Sequence, residues 1–218
     1  MPRLAALALA LSSGPALGFG ITSVDDTTTT TTTTTTTECT GILCRSDDDM
    51  KKAVSAWKTD SGAADQTYGP IKDWDTSKVT DMSDLFYLAD AFNADIGDWD
   101  VAAVTDMSNM FRFAETFNQD IGDWDVSAVT DMSFMFYHAI VFNQKIGDWD
   151  VSAVTDMTRM LMSALPFNQD LSEWCVTTDV SMTDPFFGTK CAPTCGVTVD
   201  DEACGDPTTA TTTTTGPM

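Results

Sequence analysis

Tryptophan returns every 25 residues, at Trp74, Trp99, Trp124, Trp149 and Trp174. Methionine keeps the same interval at Met82, Met107, Met132, Met157 and Met182. Between them runs a near-constant phrase, Phe-Asn-Gln-Asp-Ile-Gly-Asp-Trp-Asp-Val-Ser-Ala-Val-Thr-Asp-Met-Ser-x-Met-Phe. A period of roughly 20–50 residues is the signature of stacked units that cannot bury their apolar faces alone and must cover one another. Near-identical units present long regular surfaces and rarely build one asymmetric reactive pocket. The period therefore points to a binding or structural protein rather than an enzyme.

The chain has 218 residues and a formal net charge of -22, from 33 acidic and 11 basic residues. Such a polyanion disfavours nucleic acid and anionic lipid as partners. It favours cations, basic proteins or simple solubility outside the cell. Residues 1–18 read as a secretory signal peptide: Arg3, an apolar run from Leu4 to Leu11, then small residues around Ala16-Leu17-Gly18. That run is too short to span a bilayer, so no transmembrane segment is expected in the mature chain. Six cysteines, Cys39, Cys44, Cys175, Cys191, Cys195 and Cys204, read as disulfides in an exported chain. Zinc is the alternative, but His138 is the only histidine and no paired Cys-x-x-Cys occurs. The expected location is secreted or cell-surface.

The organisation follows from composition. Residues 19–38 form a Thr-rich linker with eleven consecutive threonines at 27–37, and residues 207–218 a Thr-rich tail. Both suit extended, O-glycosylated stalks rather than a packed core. Residues 39–70 form an N-terminal cap, with a helix expected over 47–58 from the spacing of Met50, Ala53, Val54 and Trp57 behind Asp47–Asp49. The repeats occupy 71–190, and 191–206 form a Cys-rich C-terminal cap.

Each repeat divides in two. Thr105–Ala114 carries Met107, Met110, Phe111 and Ala114 at helical spacing, with Thr105 or Asp106 as N-cap. Ile121–Val126 alternates Trp124 and Val126 inward with Asp123 and Asp125 outward, which predicts a strand in a parallel sheet. The fold class expected is an α/β repeat solenoid, short parallel strands on one face and short helices on the other. An N-terminal capping helix and a disulfide-bonded C-terminal cap would close its ends. The repeat core is read as the five tryptophans, Met82, Met107, Met132 and Met157, with Phe92, Phe117, Phe142 and Phe167. Asn93, Asn118, Asn143 and Asn168 form a structural ladder at the turn into the strand.

The phrase at Phe117–Phe136 resembles the repeat of the BspA-like leucine-rich-repeat surface proteins, and Ile121, Trp124 and Val126 mimic the spacing of their leucine core. The resemblance covers about residues 50–190, and Phe167–Val176, with Cys175 after Trp174, looks like a closing repeat. It implies a leucine-rich-repeat-like solenoid at the cell surface or outside the cell. It also implies adhesion to proteins, matrix or cells, and it supplies no catalytic residue. Two departures are the small number of repeats and the lack of a lipid-attachment cysteine after the apolar run.

Three carboxylate columns remain. They are Asp73, Asp98, Asp123, Asp148 and Glu173; Asp75, Asp100, Asp125 and Asp150; and Asp81, Asp106, Asp131 and Asp156, the last expected to cap helices. Like charges one strand apart repel by about 1 kcal/mol per pair even in water. The first two columns make Asp98, Asp100, Asp123, Asp125, Asp148 and Asp150 candidate Ca²⁺ ligands. A basic partner protein surface and plain solvated acids screened by salt are the alternatives. No nucleophile motif, metalloprotease motif or phosphate-binding glycine loop occurs, and no cofactor is expected. A column of Thr80, Thr105, Thr130 and Thr155 is read as caps rather than a crystal-binding array. The reading is a non-catalytic recognition or adhesion module for an extracellular protein, matrix or cell-surface ligand. The alternative is an acidic Ca²⁺-binding structural protein.

Overall fold

The computed structural model describes residues 45–200 and Cys204. The signal peptide at 1–18, the Thr-rich segments, and Cys39 and Cys44 lie outside the described residues.

Helix α1 spans Asp47–Thr59, over the stretch where the apolar spacing predicts one. Ser46 caps it by accepting from the Asp49 N–H, and Asp47, Asp48 and Asp49 fill its first turn, where the helix dipole favours acids. Its buried stripe of Met50, Ala53 and Val54 joins the main apolar core. A second helix, α2, spans Ser61–Tyr68, with Asp60 as N-cap and Gly69 at positive φ as C-cap. The sequence Ser-Gly-Ala-Ala-Asp-Gln-Thr-Tyr buries only Ala64, so its helical nature has no apolar period to announce it. A single 3-10 turn at Ile71–Asp73 leads into the repeats.

Within the repeats the two expected elements take another form. Thr105–Ala114 is not an α-helix, and Ile121–Val126 is not a strand. In the first stretch, backbone N–H groups alternate between two acceptors. Tyr87 and Ala89 donate three residues back, to Asp84 and Phe86, as turns. Met82, Asp84, Phe86 and Leu88 donate instead to carbonyls of Asp106, Ser108, Met110 and Arg112 in the next unit, at 2.9–3.0 Å. The same pattern recurs from unit to unit, for instance Asn109 to Ser133, Phe134 to Thr158 and Arg159 to Thr183, each 2.9 Å.

This alternation requires residues in the left-handed region. Asp84, Leu88, Asn109, Phe113, Phe134, His138, Arg159, Ser163 and Asp184 have φ of 51–65°. A non-glycine residue there costs about 1–2 kcal/mol. Such residues also prevent the continuous i to i−4 bonding of an α-helix. Turns of three to four residues reproduce the inward spacing of a helix, so Met107, Met110, Phe111 and Ala114 are all buried although no helix forms. In the second stretch, a turn at Gly122-Asp123 brings Ile121 and Trp124 inward together, with the Trp124 N–H on the Ile121 carbonyl. Parallel bridging falls elsewhere, on Asp81, Asp106, Asp131, Asp156 and Ser181.

Side chains continue the registry. The five repeated tryptophans, Met82, Met107, Met132 and Met157, and Phe92, Phe117, Phe142 and Phe167 are buried, while Met182 of the last unit is only partly so. Trp74 stacks on Trp99 at 6.1 Å, and Phe86, Phe111 and Phe136 stack at 5.5–5.6 Å. Each inner indole donates to the isoleucine carbonyl 28 residues back: Trp99 to Ile71, Trp124 to Ile96, Trp149 to Ile121 and Trp174 to Ile146. The repeated tryptophan thus buries its ring and satisfies its one donor in the preceding unit.

The far end is closed by a short parallel pair, β1 at Cys175–Val176 and β2 at Thr198–Val199. Cys175–Cys204 and Cys191–Cys195 are disulfides, with Cα–Cα distances of 5.4 and 4.6 Å. The Leu171 N–H donates to the Cys195 carbonyl and Thr198 donates to Trp174, so this segment occupies the register a further repeat would take.

Candidate functional site

The repeated polar residues hold the backbone. Asp81, Asp106, Asp131 and Asp156 each accept, through one carboxylate oxygen, the N–H two residues ahead at 2.7–2.8 Å. Asp75, Asp100, Asp125 and Asp150 do the same at 3.0–3.1 Å. These are Asx turns, in which the side chain stands in for a backbone acceptor. The third column therefore caps turns, not the helices expected of it. A fourth set, Asp95, Asp120 and Asp170, behaves alike toward Gly97, Gly122 and Ser172. At Asp75 and Asp125, hydrogen bonds from the Ser77 and Ser127 hydroxyls and then from their backbone N–H hold the carboxyl below its ordinary range. At Asp81 burial pushes the carboxyl up, but hydrogen bonds from Lys51 and Ser83 outweigh it and the net shift is downward.

The candidate Ca²⁺ ligands Asp98, Asp100, Asp123, Asp125, Asp148 and Asp150 are all exposed. Among the described residues, no group of three or more His, Cys, Asp or Glu side chains is placed to hold a metal ion. In Asp100, Asp125 and Asp150 one oxygen already serves an Asx turn.

The asparagines form a ladder. The Asn118, Asn143 and Asn168 N–H groups each donate to the side-chain oxygen of the asparagine one unit back, all at 2.9 Å. Gln119, Gln144 and Gln169 donate to the same residues' carbonyls. Thr105, Thr130 and Thr155 donate N–H and hydroxyl to the threonine carbonyl of the preceding unit, so this column also lies along the unit boundaries. Gly97, Gly122 and Gly147 lack a side chain for a reason: a Cβ at Gly122 would sit 2.7 Å from the Lys145 carbonyl, and at Gly97 2.8 Å from that of Asp120.

Five positions in each unit vary instead, although two of their residues are held, Thr116 by its hydroxyl on the Asp90 and Phe92 carbonyls and Cys191 by its disulfide to Cys195. The residues are Asp84, Asn109, Phe134, Arg159 and Asp184 at the first; Tyr87, Arg112, Tyr137, Met162 and Phe187 at the second; and Leu88, Phe113, His138, Ser163 and Gly188 at the third. Asp90, Glu115, Ile140, Leu165 and Lys190 make the fourth, and Ala91, Thr116, Val141, Pro166 and Cys191 the fifth. Their backbones adjoin from unit to unit through the bonds described above. Of the large apolar side chains exposed among the described residues, Leu88, Val141, Leu165 and Phe187 all belong to these columns, leaving only Val199 elsewhere.

The first three columns form a contiguous aromatic and cationic patch. Phe113 meets Tyr137 at 5.4 Å, His138 at 5.3 Å and Tyr87 at 6.4 Å. The Arg112 guanidinium lies 5.0–5.6 Å from the rings of Tyr87, Phe113, Phe134 and Tyr137, and Arg159 lies 5.8 Å from Phe134. Lys58 from α1 donates to the Tyr87 carbonyl at 2.8 Å, and burial pushes its ammonium below the ordinary lysine range against the pull of Asp84. An open cleft of ≈ 640 Å³, lined in part by Lys58, Leu88 and Asp90, adjoins it. No member of the patch stands out along the chain as functional. The signal is present as its negative: these are the positions where the repeat fails to repeat.

Residues 48–174 and 121–192 match the family described as "Mycoplasma protein of unknown function, DUF285", together more than half of the 218 residues. The chain belongs to this family. No curated protein and no solved structure matches the chain. The DUF285 match takes in the columns of all five units, the constant and the variable alike. Among the described residues, no helix is long and apolar enough to cross a membrane. The two disulfides fit an oxidising, extracellular setting.

Proposed function

We propose that this chain is a non-catalytic recognition or adhesion module, secreted or held at the cell surface. Its units would form a leucine-rich-repeat-like solenoid of the BspA-like kind. The ligand is an extracellular protein, matrix component or cell-surface molecule. The observation that carries the reading is the segregation of the repeat. Constant positions hold units together, while the freely varying ones collect aromatic, aliphatic and arginine side chains on adjoining backbone. Exposed aromatic and arginine residues are the ones enriched at the centres of protein interfaces. A scaffold of fixed columns carrying one variable stretch is also the arrangement repeat proteins use to present a binding surface.

The test is retention of the oxidised chain on intact cells and on matrix-coated surfaces. A variant carrying Leu88→Ser, Leu165→Ser and Phe187→Ser should keep its melting temperature and lose retention. Equal retention by the folded variant and the parent overturns the reading.

A further inference from the structure

The chain carries three acids for every base, yet Arg112 and Arg159 have no acidic partner among the described residues. No carboxylate there lies within ion-pairing distance of either guanidinium. The patch has nearby acids in sequence, Asp84, Asp90, Glu115 and Asp184, and nearby bases in Lys58 and Lys190. None of those acids has been recruited to an arginine. By contrast, Lys51 does find Asp81, at 2.5 Å.

What holds the arginines instead is aromatic. The Arg112 side chain sits among four rings, and its one hydrogen bond among the described residues runs from Nη1 to the Asn109 side-chain oxygen at 3.1 Å. The Arg159 guanidinium sits against Phe134. The Nε atoms of both are buried and unbonded. A guanidinium stacked on rings keeps its charge, loses side-chain freedom in advance, and retains N–H donors in a fork that matches a carboxylate. The large apolar side chains exposed on the same variable columns are Leu88, Val141, Leu165 and Phe187, three of them aliphatic. Aliphatic side chains suit a peptide's apolar residues. A sugar would call for bare ring faces flanked by hydrogen-bonding groups, whereas these rings spend much of their surface on one another.

We infer that Arg112 and Arg159, set among Tyr87, Phe113, Phe134 and Tyr137, form the anion-reading centre of a docking surface for a partner protein segment that places carboxylate side chains beside apolar ones. This deepens the recognition reading above and rests on it. The two arginines supply selectivity for charge, and the exposed aliphatic and aromatic residues supply buried area.

The experiment measures fluorescence anisotropy of a labelled peptide alternating Glu with Leu and Phe, against the same peptide with Gln for Glu. The oxidised full chain should bind the Glu peptide at least about tenfold tighter, as expected of charge-assisted hydrogen bonds. The preference should shrink as NaCl rises from about 50 to about 500 mM, where screening shortens to a few ångströms. R112Q and R159Q should each abolish most of it. R159Q touches a single ring, so it remains informative if R112Q fails to fold. Equal affinity for the two peptides overturns the inference, as does full preference in folded R159Q. Tighter binding of soluble polygalacturonate than of the Glu peptide also overturns it, by assigning the surface to acidic sugar. So does arginine-dependent dimerisation on sedimentation, which would make a second copy the occupant. Loss of cell and matrix retention in the Leu88, Leu165 and Phe187 variant, with retention intact in R159Q, would sink this inference alone. Intact retention in both would sink the recognition reading.

Discussion

Trp124 and Tyr137 lie in successive stretches of the chain, 13 residues apart, and obey opposite rules. The first belongs to a column that is tryptophan five times; the second to one that runs Tyr, Arg, Tyr, Met and Phe. The difference is one of constraint. Trp124 buries its ring and donates its indole N–H to Ile96 of the unit before. Any replacement leaves a void, an orphan carbonyl, or both. The Tyr137 side chain meets Phe113 and Arg112 through its ring, and the neighbouring units offer Arg112 and Met162 in its place. Sameness between units marks where one unit must fit the next, and difference marks where that fit does not dictate the side chain.

That contrast can be broken at several points. The largest effect is expected from Trp124→Ala, which should cost about 3–5 kcal/mol in denaturant unfolding, as for other large-to-small core changes. A cost below about 1 kcal/mol would mean the units do not depend on the indole column. Next comes Gly122→Ala, whose Cβ would press on the Lys145 carbonyl at 2.7 Å. Backbone cannot swing aside as a side-chain tip would, so a loss of about 1–3 kcal/mol is expected, in the range of overpacked sites. No change in melting would show that the units can separate freely at that point.

Asn118→Ala should cost about 1 kcal/mol, because it strips the acceptor from the Asn143 N–H at an exposed boundary where water can replace part of the bond. Hydrogen exchange at Asn143 should rise in step; unchanged protection there would remove the ladder from the account. Phe187→Ser tests the other side. Phe187 is 64% exposed, so its loss should move stability by no more than about 0.5 kcal/mol while reducing ligand retention. A large drop in melting temperature would place it among the constrained positions instead.

The smallest effect is on the acid side. Asp125 has a folded-state carboxyl held below its ordinary range by Ser127. The unfolded chain then binds the proton more readily, so this group's contribution is present above the ordinary Asp range near about pH 4 and is lost as pH falls through the depressed folded value. Ser127→Ala should flatten that part of the stability profile and leave the profile near neutral pH unchanged. An identical acid limb in the variant would show that the hydroxyl has no hold on the carboxylate.

Much of this is legible in the order of the residues. The interval of 25 names the buried columns, because a residue repeated in every unit at a fixed place is one that its neighbours oblige. The helix at α1 is legible from four apolar residues behind three acids. The local form of the repeat is not. Met107, Met110, Phe111 and Ala114 face inward equally well on a helix and on turns of three to four residues, so spacing alone does not separate the two. Nor does it place the parallel bridging at Asp106 rather than at Trp124, since an aspartate is a poor strand former by propensity. Cys175 is visible as a disulfide candidate but its partner is not, for six cysteines allow many pairings.

The sequence by itself determined which residues are interior and which units are equivalent, because burial needs only a pattern of apolar side chains repeated in phase. Tertiary structure alone decided how the backbone meets that demand. It placed left-handed residues such as Asn109 and Phe134 where their N–H groups reach the next unit, and glycine where a carbonyl passes too close for a Cβ. It alone also gathered Tyr87, Arg112, Phe113, Phe134, Tyr137 and Arg159 into one patch. The physical reason is that these residues share no motif along the chain. They become neighbours only because hydrogen bonds between units bring positions about 25 residues apart to within the width of one backbone spacing.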